Sequence, residues 1–492
     1  MAANDLPLAD RFLSMSRGTS GNAATMARRF WYDGAISEAI AVLAQDSDRS
    51  HKRGSVQLCR LQSEQAVLDG WMPALPSTPM VPEPKRVLHL LTNSLPHTQS
   101  GYARRSHEIL LAQKAAGWET LAVTRLGYPV LVGKLGAGLV DVVDNVRYQR
   151  LLPPRMEPTT SGRLQQQAEE LLKLALEFRP SIIHTTTHYA NAIVARAVAQ
   201  ALGIPWVYEV RGQLADTWAS TRGPEATASE RYRLFQDRES DSMLSADLVF
   251  TLGEAMKANI AAAGVPAERI LLAPNGVGGS YLEAPLSVAE ARRQLGLDVD
   301  AQIVGTVSSL VDYEGLDDLI AAFEVLAPEH PRLQLLIVGD GASMPALQHQ
   351  AVKTGLGNRI RFVGRVPASL ARTYHSAFDA FVVPRKNLGV TRSVTPLKPV
   401  EAMACSRPVL ASDLPALAEI VDHGVTGLLV RPEDPAELAR SLAQLLADPP
   451  QMTAMGIAGR DLVLSTRTWD ANAAAYVRAY QALTNERQRR FS

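Results

Sequence analysis

The chain has 492 residues, 46% hydrophobic and 20% charged, with 50 basic and 50 acidic side chains. That length suggests about two to four domains with substantial cores, and a formal net charge of zero argues against nucleic acid as a partner. Two cysteines, Cys59 and Cys405, are too few for a disulfide framework, so a reducing cytoplasm fits.

The N-terminus, "MAANDLPLADRFLSMSRG", lacks the apolar core of a signal peptide. No stretch reaches the roughly 18 apolar residues of a transmembrane helix. A cytoplasmic location is expected, with peripheral contact at the inner face of the membrane left open. Residues 1–72 read as a helical segment. Within it, Trp31, Tyr32, Gly34, Ala39 and Leu43 resemble one tetratricopeptide-type hairpin, a unit that needs neighbours to bury its faces. The simpler reading is a small helical appendage, and these helices are the segment open to binding another protein. Residues 73–84, "PALPSTPMVPEP", hold five prolines in twelve residues and read as an extended linker. An independent appendage follows, with a chain that folds from near Lys85 onward.

After the linker, short apolar runs alternate with amphipathic stretches. "RVLHLL", "ETLAVT", "PSIIHTT", "PWVYEV", "DLVFTL" and "RILLAP" read as strands, closing at the turn "APNGVGG". The pattern restarts with "QIVGTV", "LQLLIVGD", "RIRFVG", "DAFVVP", "PVLAS" and "GLLV". Continuous apolar strands between helices mean parallel sheets covered on both faces. The expected fold is α/β, with two doubly wound Rossmann-like domains, 85–277 and 278–465, facing a cleft. Residues 466–492 read as a C-terminal helix.

Ligands of such sheets bind beyond the carboxyl ends of the strands. A nicotinamide enzyme is poorly supported there. "LIVGDGASM" offers Gly339 and Gly341, but Met344 holds the third glycine's place, and "GKLGAG" (133–138) is mis-spaced. After the first strand, "TNSLPHTQSGYARR" places Gly101 where backbone can approach a ligand, with Arg104 and Arg105 on the next helical turn. "IIHTTTHYA" puts His184 at a strand end and His188 just beyond, among threonines, so no metal site is expected. "YEVRGQLADTW" puts Glu209, Arg211, Asp216 and Trp218 after the next strand, suiting either polar substrate recognition or a structural ion pair.

The densest chemistry lies in "PRKNLGVTRSVTPLKPVEAMACSRPVLAS". Pro396 and Pro399 mark a helix start, where unpaired N–H groups and the macrodipole attract phosphate. Arg385, Lys386, Arg392 and Lys398 add positive charge. Glu401 sits too far into the helix to cap it. Its carboxylate can accept two hydroxyl hydrogen bonds, as a ribose offers. Thr395 and Leu397 share this loop, and Arg365 follows "RIRFVG"; all three join the candidate donor site.

"VEAMACSRPVLAS", followed by "EIVDHGVTGLLV", resembles the C-terminal signature of retaining family 4 glycosyltransferases with the GT-B fold. "LIVGDG", "RIRFVGRV" and "APNGV" are similar in order and spacing, so the likeness runs over about 86–465. It implies transfer of a sugar from a nucleotide-sugar, such as a UDP- or GDP-sugar, to a hydroxyl on a sugar or lipid-linked sugar. Retention of configuration, no metal, no other cofactor, and a place in polysaccharide or glycoconjugate synthesis are implied as well. By this likeness Glu401 holds the ribose and the basic residues hold the diphosphate. Arg211, Glu209, His184 and Lys398 are the candidate catalytic residues, with Gly101 beside them.

Three departures stand out. Ser393 takes the place of the family's second glutamate. Ser309 and Glu314 stand where the family carries an arginine and a lysine. Arg211 stands where many members carry a histidine. The basic loop is expected to replace the missing pair, with Lys398 contributing most. A sugar-nucleotide epimerase of the same fold, and a non-catalytic sugar-nucleotide binder that uses its N-terminal helices as an adaptor, are the rival readings.

Overall fold

The computed structural model of the chain describes residues 10–11, 22–45 and 52–491. The parts of the N-terminal reading that fall on 1–9, 12–21 and 46–51 lie outside the described residues. The first sheet has eight strands: β1 (Arg86–Leu91), β2 (Glu119–Thr124), β3 (Val140–Val143), β4 (Val146–Gln149), β5 (Ile182–Thr186), β6 (Trp206–Val210), β7 (Leu248–Thr251) and β8 (Ile270–Leu272). Their order is β3-β4-β2-β1-β5-β6-β7-β8. The second sheet has six: β9 (Gln302–Val307), β10 (Leu333–Val338), β11 (Ile360–Gly364), β12 (Ala380–Val383), β13 (Val409–Ser412) and β14 (Gly427–Val430), ordered β11-β10-β9-β12-β13-β14. Every residue of β5 and β6 is buried. Helices cover both faces of these strands, which is why they read as unbroken apolar runs. Two Rossmann-like α/β domains result, as expected.

β3 and β4 add to the strands expected from the sequence. They form an antiparallel edge hairpin with half-polar strands, turned by Asp144 and Asn145 at φ 47° and 62°. Two adjacent left-handed residues are what a tight hairpin turn demands, and Asp-Asn supplies them. The final helix, Trp469–Phe491, crosses back to the first domain. There Trp469, Tyr476 and Tyr480 are buried with Val87, Ile109 and Phe250. The tail completes the core of the domain it left.

The N-terminal helices Ala23–Asp33 and Ile36–Gln45 form the expected hairpin, backed by a third helix, Lys52–Leu68. Their expected independence is corrected by their packing. Ile36 and Leu68 share a buried cluster with Ala215, Leu234 and Phe235 of the first domain. The Ser37 N–H donates to Glu230 at 2.8 Å, and Glu64 pairs with Arg231 at 2.8 Å. The guanidiniums of Arg231 and Arg222 lie 4.7 and 4.9 Å from the rings of Trp31 and Tyr32. This aromatic face is therefore occupied by its own chain.

The proline-rich segment is extended but pinned. Thr78 N–H donates to the Ala201 carbonyl at 2.8 Å and Glu83 N–H to the Arg179 carbonyl at 2.9 Å. Trp71, Met72, Leu75 and Met80 pack on the main core. Removing residues 1–84 uncovers Leu234, Phe235 and part of that core, at about 1.5–3 kcal/mol for each side chain returned to water. The shortened protein is expected to be insoluble or to melt well below the full chain. Equal melting temperatures in a thermal scan of the two would restore the independent appendage.

Candidate functional site

The domains meet at the carboxyl ends of their strands. Asn275 donates from its side-chain amide to the Thr395 carbonyl across the gap, at 2.9 Å. Glu419, from the second domain, accepts the Glu254 N–H at the start of a first-domain helix, at 2.7 Å. Gly389 lies against Asp216: a Cβ there would stand 3.6 Å from the carboxylate. These contacts hold the cleft closed.

The second-domain wall is built around Glu314. Gly315, at φ 68°, packs so tightly that a Cβ would lie 1.8 Å from the Pro384 carbonyl. That approach brings Glu314 alongside Arg385. Arg385 Nη2 and Lys398 Nζ both donate to Glu314 Oε1, at 3.0 and 2.9 Å. Lys398 Nζ also donates to the Ser308 hydroxyl at 2.6 Å, and Arg385 Nη1 to the Val394 carbonyl at 2.9 Å. Burial alone would raise the Glu314 carboxyl, but Arg385 and Lys398 outweigh it and hold it down to about 2. Burial pulls Lys398 below the ordinary lysine range, with Glu314 opposing. The cluster carries two cations and one anion, a local charge of about +1. Gly339 serves the same packing: a Cβ there would strike the Ser308 carbonyl at 1.7 Å. The partial G-x-G is thus a close approach of two loops.

The other basic residues turn elsewhere. Lys386 binds Asp317 at 2.5 Å. Arg392 is exposed and donates to Asn387 at 3.1 Å. Only two of the four gather, so the expectation of a four-residue basic group is corrected to Arg385 and Lys398. The helix that Lys398 opens, Lys398–Ala404, has seven residues, too short for its start to matter much beside formal charges. Ser393 is buried, its hydroxyl bonded to the Gly389 carbonyl at 3.0 Å.

Glu401 lies one turn after Lys398, and its carboxylate makes no hydrogen bond to any described residue. Burial pushes its carboxyl up to about 7, against the positive charges of Arg104 and Lys398. Arg104 belongs to the first domain, on the helix Gly101–Ala115, so a cation of one domain acts on the carboxyl of the other. Gly101 opens that helix in free space: an added Cβ meets nothing within 4 Å. Thr395 is buried with its hydroxyl unpaired. Leu397 packs against the cluster holding Tyr476. Arg365 is exposed beyond β11.

The expected first-domain residues do not line an open surface. Glu209 and His184 are fully buried and Arg211 nearly so. Glu209 pairs with Arg105 at 2.7 Å, with Arg211 at 3.0 Å, and lies 3.4 Å from His184 Nε2. His184 Nδ1 meets the Tyr480 hydroxyl at 2.5 Å. Burial would raise the Glu209 carboxyl, but Arg211 and Arg105 outweigh it and hold it well below the usual range. Burial keeps His184 below the ordinary histidine range. Their placement at the cleft surface is corrected: the tail helix covers them, and the structural ion pair is what forms. Arg211 still reaches the cleft indirectly. Its Nη1 donates to the Tyr102 carbonyl at 3.0 Å and the Ser106 hydroxyl at 2.8 Å, fixing the helical turn that carries Arg104. His188 caps the helix Tyr189–Leu202, accepting the Ala190 N–H at 3.1 Å. Among the described residues no group of three or more His, Cys, Asp or Glu could hold a metal ion.

Two Rossmann-like domains closed on a cleft at their strand ends define the GT-B class. Sucrose-phosphate synthase from Thermosynechococcus elongatus has the same fold, with a TM-score of 0.68 and 24% identity over 82% of this chain and 100% of that one. Anabaena HepE in complex with UDP superposes at a TM-score of 0.64, with 18% identity, over 81% and 100%. Residues 100–276 match the glycosyl transferase 4-like domain and residues 287–462 match glycosyl transferases group 1. The chain thus resembles glycosyltransferases in both of its sheet-bearing halves. A GDP-mannose-dependent alpha-(1-6)-phosphatidylinositol monomannoside mannosyltransferase from Mycolicibacterium smegmatis is 32% identical over 50% of this chain and 64% of its own. A D-inositol 3-phosphate glycosyltransferase from Thermobispora bispora is 30% identical over 44% and 51%. The likeness therefore spans about half to two thirds of those relatives. No described helix is long and apolar enough to cross a membrane.

Proposed function

We propose that the chain transfers a sugar from a nucleoside diphosphate sugar to a hydroxyl acceptor, with retention, in the synthesis of a polysaccharide or glycoconjugate. The observation that carries this reading is Glu401, an unbonded, desolvated carboxyl beside the Arg385–Glu314–Lys398 cluster and opposite Arg104. A ribose diol supplies the two donors Glu401 lacks, and the diphosphate then lies against the two cations. The leaving group's charge is carried by these fixed side chains and by no metal, in a site from which closure excludes water. UDP- and GDP-sugars are the donor classes to test. One solved neighbour is in complex with UDP and one relative is named as GDP-mannose-dependent.

The experiment is calorimetry with UDP, GDP and their sugars, followed by product analysis. Glu401→Gln is expected to weaken nucleotide and nucleotide-sugar alike by about 1.5–3 kcal/mol, the worth of hydrogen bonds to a charged group. The carboxylate is the form that accepts the diol, and it predominates above about 7. Wild-type affinity is thus expected to rise from about pH 6 to about pH 8, and the Gln variant to show no such rise. A folded Gln variant with unchanged affinity would sink the Glu401 assignment. Binding without transfer or slow donor hydrolysis would leave the non-catalytic binder, and an epimerised sugar the epimerase.

A further inference from the structure

Exposed apolar side chains scattered singly are ordinary, whereas a contiguous group marks a contact surface. One stretch of the first domain gathers six of them: Leu131, Val132, Leu135, Leu139, Val140 and Val142. Leu135 is 82% exposed, Val142 64% and Leu139 58%. The stretch leaves β2 and returns as β3, and it contains the glycine-rich run at 133–138 that fits no phosphate loop.

The framework beneath it is firm. The fully buried Arg150 donates to the Ser94 hydroxyl at 2.6 Å and the Leu95 carbonyl at 3.0 Å, and pairs with Asp141 at 2.7 Å. His97 meets the same Asp141 at 3.0 Å. The loop is thus tied to the segment after β1. It leaves the carboxyl end of β2, the same end of the sheet at which the helix bearing Arg104 starts.

Its exposed charge is net positive. Val142 lies opposite Arg147 in the hairpin register, which puts both on one face, and Arg147 is exposed. Lys134 is exposed between Val132 and Leu135. Of the nearby acids, Asp141 is offset by the buried Arg150, whereas Asp144 stays exposed with His107 at 3.0 Å, so Lys134 and Arg147 leave the exposed charge positive by one. An apolar tip rimmed by cations complements the headgroup layer of an anionic bilayer. A second copy of this chain is a poorer occupant, since six side chains fall short of the roughly 20 residues a stable interface takes from each side.

We propose that residues 130–142 dip into the surface of an anionic membrane, and that the acceptor hydroxyl belongs to a lipid presented at that edge of the cleft. The acceptor half rests on the glycosyl-transfer reading; the membrane half does not. The test is co-sedimentation of the full chain with phosphatidylcholine vesicles, with and without phosphatidylglycerol. The full chain is expected to pellet with the phosphatidylglycerol vesicles and far less with phosphatidylcholine alone. Leu135→Glu combined with Leu139→Glu is expected to cut binding at least about tenfold, because apolar burial and anionic attraction are both lost. Calorimetry with the nucleotide-sugar is expected to be unchanged in that variant. Wild-type protein left in the supernatant with both vesicles overturns the proposal. So does a double variant that pellets like wild type, or a wild-type dimer that the double variant dissociates. For the acceptor half, sugar label from the donor is expected in the chloroform-soluble products of a bacterial lipid extract; label only in water-soluble products overturns that half. Vesicle binding without any nucleotide-sugar binding would fail the glycosyl-transfer reading alone.

Discussion

Glu314→Gln is expected to destabilise the protein by about 3–5 kcal/mol, the usual cost of removing one partner from a buried charge cluster. Arg385 and Lys398 approach the same carboxylate oxygen, at 3.0 and 2.9 Å. Without it, two desolvated cations face each other with nothing between them. The same change should improve the site for a diphosphate, because the local charge rises from about +1 to about +2. Saturating UDP or GDP is therefore expected to raise the melting temperature of the variant by more than it raises that of the wild type, since binding to the folded state alone stabilises by mass action. The pH dependence has a definite sign. Glu314 is depressed from 4.5 to about 2 in the folded chain. Its contribution is complete above about 4.5 and is lost as pH falls toward 2. The gap between wild type and variant should close over that window. A variant that melts with the wild type near neutral pH, and gains no more from nucleotide, would mean that the cluster neither needs its anion nor receives the diphosphate.

This cluster also marks how far the sequence could be read. The departure from the family pattern was visible: an acid where a lysine is usual, and a lysine on the loop before Glu401. Such a reversal is the mark of a charge swap, because a buried acid demands a cation. Which two of the four basic residues would answer it depended on the path of residues 384–397, and strand-and-helix periodicity says nothing about loop paths. The parallel sheets were legible because buried strands are apolar throughout. The β3–β4 hairpin was not, because short edge strands alternate weakly and sit close to loops in composition. The N-terminal hairpin was legible as helices, but its docking was not. Ser37 meets Glu230 at a separation of 193 residues, and no local pattern reports a contact of that length. Arg104 was seen on the right turn of the right helix, but its partnership with Glu401 exists only once the domains close.

Glu209→Gln is expected to lower stability by a similar amount, about 3–5 kcal/mol, and to leave nucleotide affinity of the folded protein nearly intact. The residue follows the motif position that suggested catalysis, so the two roles must be separated by different readouts. Glu209 is fully buried with two guanidiniums on it, Arg105 at 2.7 Å and Arg211 at 3.0 Å. Glutamine keeps the shape but removes the only counter-charge that Arg105 meets among the described residues. Its remaining bonds run to the Pro274 carbonyl, the Ala273 carbonyl, Asn275 and the Tyr476 hydroxyl. These bridge the first domain, the interdomain strand end and the tail helix, so loosening Arg105 should loosen all three together. Near neutral pH, thermal unfolding should show the loss, and it should shrink under acid. The carboxyl sits well below 4.5 in the folded state, so what it contributes is present above that value and fades as pH falls through its folded pKa. A structural role predicts a lower melting temperature with calorimetric affinity for nucleotide within about threefold of wild type. Turnover measured well below the melting point should fall mainly in step with the folded fraction and with any slackening of Arg211, which holds the turn bearing Arg104. A variant that melts like the wild type yet loses turnover by orders of magnitude would return Glu209 to the reaction centre. It would also require the tail helix to move aside during the cycle, because nothing reaches that carboxylate while Tyr476 and Tyr480 are in place.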